Sequence, residues 1–168
     1  MKISYPILSP RAIIYGCIAG IACFISRTML GSPLNMIHII GSTACLPPLW
    51  IFNLLSVLSS ALMGASAAWV IDSIEVGYNN GAREISSYRG ALCLSCAFFL
   101  FLIWFPILFF AQRLFLSFVV SALALICSLC CAIEWSRVGP SRSSAVMYVN
   151  TAWLFYIMFV SLSVWWGN

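Results

Sequence analysis

Charge is what this chain has least of. Only 7% of its 168 residues are charged, eight Lys or Arg and four Asp or Glu, and there is one histidine. A soluble domain covers itself with charged groups at roughly a quarter of its positions, so a water-soluble globule is excluded. The net charge of +4 is not gathered into any basic run, so the phosphate-tracking surface of a nucleic-acid binder is missing as well. A single histidine, His38, leaves a zinc site short of ligands. Axial ligation of heme iron would be its sharper use, against the plainer one of an interfacial loop residue. There is no Ser/His/Asp spacing, no phosphate-cradling glycine loop and no pair of carboxylates inside an apolar segment. No catalytic residue is assigned, and turnover chemistry is not expected. The residue alternation of a membrane β-barrel is also absent.

What is present is apolar length. Hydrophobic residues make up 63% of the chain. A spanning helix needs about 20 apolar residues, and five stretches qualify, at about 8–26, 48–71, 90–111, 114–135 and 145–166. Helix is the open-ended structure that satisfies its own backbone in lipid. The expected fold is therefore all-α, an integral membrane bundle of five transmembrane helices in one domain, 1–168. The first segment, with Lys2 and Arg11 ahead of a short apolar run, has some signal-peptide character. No A-x-A site follows it, and Cys17 and Cys23 lack a lipobox, so it is retained as a span.

Five spans put the termini on opposite sides. Lys2, Arg11, Arg83, Arg89, Arg137 and Arg142 fall on the N-terminal side, and only Arg27 and Arg113 on the other. The positive-inside bias then predicts a cytoplasmic N-terminus in a bacterial cell membrane, or its equivalent in a mitochondrial outer membrane. These charges are read as topology determinants and headgroup contacts. Asp72, Glu75, Glu84 and Glu134 also lie on the N-terminal side. Glu134, with Arg137 nearby, is expected at the interface, a proton relay being the alternative.

The loops differ in kind. Gln112 and Arg113 are nearly all that joins the third span to the fourth, so these must form an antiparallel hairpin. Residues 72–89 are polar, with an Asn-Asn-Gly turn at 79–81. Residues 27–47 are long but apolar. A long loop in a compact domain is usually functional or disordered, and this one, too apolar for free disorder, is read as a lid or interfacial segment lying on the bundle mouth.

Small residues mark contact faces. Gly16 and Gly20 are four apart, and Ser60, Gly64 and Ala68 continue a four-residue row from Ser56. Such rows let helix backbones approach in lipid. They serve packing within the chain or a homodimer, and they also leave room for a ligand. Cys93 and Cys96, with Cys127, Cys130 and Cys131, fall at similar depth on the hairpin. Their spacing invites a metal or disulfide reading, but buried cysteine is commonly a small apolar filler. Among seven Trp, Trp50, Trp165 and Trp166 suit an interfacial belt. Trp104 and Trp153 lie inside their segments. With Phe101, Tyr148, Asn150 and Phe155 they could wall an apolar pocket.

The second span can be compared with a known pattern. "PPLWIF" at 47–52 and "LMGASAAWV" at 62–70 resemble the TspO/MBR family, the tryptophan-rich sensory proteins related to the mitochondrial translocator protein. "WFPILFF" at 104–110 is similar to the family's third span with a one-residue offset, and Trp153 and Asn168 occupy the first and last places of its terminal frame. The resemblance covers nearly the whole chain. It implies a receptor or sensor that binds a flat apolar molecule inside the bundle: a tetrapyrrole such as porphyrin or heme, a sterol, or an isoquinoline-type drug. No cofactor is required. The implied partners are the lipid bilayer and that hydrophobic ligand. The ligand-facing candidates are Trp50, Phe101, Trp104, Tyr148, Asn150 and Trp153. The chain departs from the pattern at Ser56 and Ser60, where the family carries aromatics, and at Phe101, Val149, Asn150 and Ser161. Two alternatives stay open: a small transporter subunit of another class, and a family member that kept the fold and lost its ligand.

Overall fold

The computed structural model describes residues 9–30, 48–75, 81–109, 111–138 and 141–167. These form five helices: α1 (Pro10–Leu30), α2 (Leu49–Glu75), α3 (Gly81–Phe109), α4 (Leu114–Val138) and α5 (Ser141–Gly167). All five are long and apolar enough to cross a membrane. The ends carrying Ser9, Asp72, Glu134 and Arg142 are called proximal here, and the opposite ends distal.

The five-span expectation holds, but the boundaries shift. The polar stretch expected as a loop over 72–89 is helical up to Glu75 and again from Gly81. Hydropathy marks only the part of a helix that sits in hydrocarbon, and polar turns carry on into the headgroup region. Likewise α1 continues to Leu30, so Arg27 belongs to a span and not to the first loop. Residues 31–47, and with them the lid and His38, lie outside the described residues.

Local chemistry explains the ends. Ser9 precedes Pro10, and its hydroxyl accepts a hydrogen bond from the Ala12 amide at 3.2 Å. That is an N-cap followed by a proline at the first helical position, where its missing N–H costs nothing. The Pro48 carbonyl opens α2 by accepting from Ile51 and Phe52. The α3–α4 hairpin closes as its length requires. Gln112 takes a left-handed φ of 50°, and the Arg113 amide reaches back to the Ile107 carbonyl at 3.2 Å. This bond satisfies an otherwise orphaned carbonyl at the helix end.

Pro106 sits inside α3 and cannot donate to the Leu102 carbonyl one turn back. In lipid that carbonyl must find another donor. The Ser26 hydroxyl of α1 supplies it at 3.2 Å, which ties α1 to α3.

Going round the bundle, the order is α1, α2, α5, α4, α3, closed by α3 against α1. The polarity of packing is inside-out. On α1 the buried face is Ala12, Gly16, Ala19, Gly20, Cys23 and Arg27, while Ile13, Ile14, Ile18, Ile21 and Phe24 point outward. Outward apolar groups meet lipid tails, and inward small groups let helices close up. Gly16 and Gly20 face Val57, Ala61 and Ala65 of α2, and Gly64 faces Tyr15 and Ala19 of α1. Ser56, Ser60 and Ala68 are fully buried. The small-residue rows are therefore spent on the α1–α2 seam within the chain.

Two apolar clusters fill the interior. The distal one is aromatic, built on Phe52, Phe101, Trp104, Phe105, Phe109 and Ile157. The proximal one holds Met63, Leu94, Ala97, Cys131, Trp135 and Met147, with Cys93 and Cys127 packed against it. Among the described residues no group of three metal-ligating side chains could hold an ion, and the seven described cysteines are all free.

Candidate functional site

The α2–α5 contact is looser than those at the α1–α2 and α4–α5 seams, and it leaves a cleft of about 340 Å³. Leu55, Leu58, Ser59 and Leu62 line it from α2, and Val149, Asn150, Ala152 and Trp153 from α5. The α2 residues follow helical spacing and so form one stripe. Leu58 and Val149 are exposed, which makes the cleft open sideways, toward lipid. Its size falls at the small end of the range for ligand pockets, and its apolar walls with few polar groups match their usual composition.

Asn150 forms the polar floor. It is buried, accepts from the Ser59 hydroxyl of α2, and donates to Ser128 Oγ of α4 at 3.3 Å. Ser128 in turn pairs with Thr151 at 2.9 Å. One amide thus links three helices, the role a buried polar group usually takes in lipid. Trp153 forms the end wall. Its ring lies 5.5 Å from Phe52 and stacks at 5.3 Å on Tyr156. Its Nε1–H is buried without a hydrogen-bond partner among the described residues.

The other sequence candidates separate. Trp104 is 1% exposed, packed in the distal core, and donates from Nε1 to Ser161 Oγ at 2.9 Å. Phe101 is buried in the same cluster. Neither lines the cleft. Trp50 is 67% exposed and Tyr148 46% exposed, and both face outward beyond its walls. Of the six ligand-facing candidates, Asn150 and Trp153 are the two that the structure brings together at the cleft. The Leu55, Leu58, Ser59 and Leu62 stripe was missed. Its spacing was legible, but every face of an apolar helix offers such a stripe.

Trp104 and Ser161 explain one departure from the family pattern. Serine at this position retains a hydrogen-bond acceptor for the indole. Ser161 also donates to the Ile157 carbonyl at 3.0 Å, which keeps its lone pairs turned to Trp104. Replacing Trp104 with Phe removes that bond and part of the ring volume. The expected cost is about 1 kcal/mol for the bond, plus a cavity contribution, read as a lowered midpoint in thermal unfolding in detergent.

A site missed altogether is at Arg27. It was expected at a headgroup, yet it is 7% exposed and turned into the bundle. Its Nη1 donates to Asn53 Oδ1 at 2.5 Å and its Nη2 to Ser56 Oγ at 2.6 Å. The guanidinium carbon lies 5.0 Å from the Phe52 ring centre and 4.7 Å from that of Phe105. Ser56 is fully buried and its hydroxyl also donates to the Phe52 carbonyl. An aromatic residue at position 56, as the family usually carries, would occupy the space the guanidinium now fills.

Five helices long and apolar enough to cross a membrane, packed around an aromatic core with a lateral cleft, define an integral multi-pass membrane protein. The model of the TspO/MBR family matches residues 13–166, so the chain belongs to that family. Comparisons with curated proteins and with solved structures give no match.

Proposed function

We propose that this protein binds a flat apolar molecule, a tetrapyrrole of the porphyrin or heme type or a sterol, in the α2–α5 cleft. It does so as a sensor or in transport-related handling, not as an enzyme. The observation that carries the reading is Trp153. It forms an aromatic wall of an apolar cleft, braced by the tilted Phe52 ring and stacked on Tyr156. Ring stacking contributes on the order of 1 kcal/mol per pair beyond burial. The Asn150 network is already satisfied by Ser59 and Ser128, so it holds the cleft's shape and leaves recognition to apolar contact. Family membership supports the reading in general terms, and the charge bias supports an N-terminus on the cytoplasmic side.

The test is titration of the purified protein with protoporphyrin, followed by Trp quenching and by the ligand's own absorbance. Saturable binding is expected, weakened at least 10-fold by Trp153→Ala, while the outward-facing Trp166→Ala leaves it unchanged. Absence of saturable binding to the wild type overturns the tetrapyrrole reading. A Trp153→Ala protein that is less stable yet binds as before moves the ligand away from the cleft.

A further inference from the structure

A cation buried in a membrane span normally meets an acid, a cavity or the interface. Among the described residues Arg27 meets no acid. Its two hydrogen-bond acceptors, Asn53 Oδ1 and Ser56 Oγ, are neutral, and the Cys23 thiol and the faces of Phe52 and Phe105 lie beside it. Near the end of α1 a long side chain would ordinarily extend to water. This one is folded inward at 7% exposure.

No described acid side chain lies beside it. Asp72 pairs with Arg11 at 3.4 Å at the proximal end, sixteen residues back along α1 and so roughly 24 Å away. Glu75 ends α2 beyond Asp72, and Glu84 lies in the first turn of α3, both proximal. Glu134 is held there by Ser86 and by Arg137 at 3.8 Å. No described residue therefore supplies a counter-charge at Arg27.

We infer that Arg27 is the carboxylate anchor of the ligand. The guanidinium fork suits a carboxylate, which takes two parallel N–H donors. A charged acceptor makes roughly twice as strong a bond as a neutral one, so a ligand carboxylate can displace the half-buried Asn53 amide. The anchor lies close to the cleft. Phe52 touches both Arg27 and Trp153. Along α2, Ser56 at the anchor and Ser59 at the cleft are three residues apart, about 5 Å. The inference rests on the cleft reading for the ligand's apolar body, and it narrows the class to amphipathic acids: a flat ring system bearing carboxylates, in preference to neutral sterols.

The experiment compares protoporphyrin with its dimethyl ester, which keeps the ring and removes both charges. The wild type is expected to bind the diacid at least 10-fold tighter. Arg27→Met should lower diacid affinity to the ester's level and leave the ester unchanged. Arg27→Lys, which keeps the charge, should retain part of the preference and controls for misfolding. Equal wild-type affinity for diacid and ester overturns the anchor while the cleft reading stands, and so does a preference that survives in Arg27→Met. If neither porphyrin binds, the tetrapyrrole reading fails, and the anchor is decided by oleate against methyl oleate in thermal unfolding. Stabilisation by oleate alone, lost in Arg27→Met, supports an anchor for a fatty acid. No difference between the two overturns it.

Discussion

Gly64→Ala is expected to destabilise the bundle by at least 2 kcal/mol, the cost of overpacking a site that cannot relax. A Cβ at Gly64 would overlap the Tyr15 carbonyl oxygen, lie 2.7 Å from the carbonyl carbon and stand 3.0 Å from Ala19 Cβ. The first obstacle is backbone, so no rotamer change removes it, and α1 must move off α2. The other two glycines of the seam grade the effect. At Gly16 the nearest atom to a new Cβ is the Ala61 carbonyl oxygen at 3.1 Å, and at Gly20 it is Ala61 Cβ at 3.5 Å. The latter is ordinary contact, and alanine gains helix propensity there. Thermal unfolding in detergent should rank Gly20→Ala nearest to wild type, then Gly16→Ala, then Gly64→Ala. A Gly64→Ala protein as stable as wild type would show that the α1–α2 seam is looser than described. Because Arg27 of α1 is held by Asn53 and Ser56 of α2, widening the seam should also weaken whatever binds at Arg27.

The five spans were legible because lipid imposes length and apolarity together, and neither needs partners to be read. The α3–α4 hairpin was legible for a similar reason: two residues permit no other path. The ends were not, since Asp72 to Glu75 and Gly81 to Arg89 are polar yet helical. Arg27 was misplaced by the same logic. A charge at the edge of an apolar run reads as the end of a span, and its inward turn depends on Ser56 and Asn53, twenty-six and more residues away. The two informative signals were present but separate. All acids lie on one side of the bundle, and Ser56 stands where the family carries an aromatic. Trp104 and Trp153 looked equivalent in sequence. Only packing shows that one is enclosed by Phe105 and Phe109 while the other borders a cleft.

Gly90→Ala is expected to be as damaging as Gly64→Ala, for a different reason. A Cβ at Gly90 would overlap Trp135 at Nε1 and Cδ1 and lie 3.2 Å from Cε2. The obstacle is a side chain, but a rigid ring that is 1% exposed and enclosed in the proximal cluster with Leu94, Ala97, Cys131 and Met147. It has nowhere to turn, so α3 and α4 must part at their proximal ends. The indole Nε1 has no hydrogen-bond partner among the described residues. Shrinking the ring therefore sacrifices packing and no hydrogen bond seen in the structure. This makes the clash testable by a double-mutant cycle. Gly90→Ala alone should cost at least about 2 kcal/mol, and Trp135→Leu alone up to about 3 kcal/mol, as a cavity-forming change. The double variant should be more stable than the sum of the two predicts, because alanine fills space the ring vacates. Strict additivity would mean that Gly90 and Trp135 do not press on each other. Neither residue touches the cleft or Arg27, so ligand affinity per folded molecule should be unchanged in all three variants.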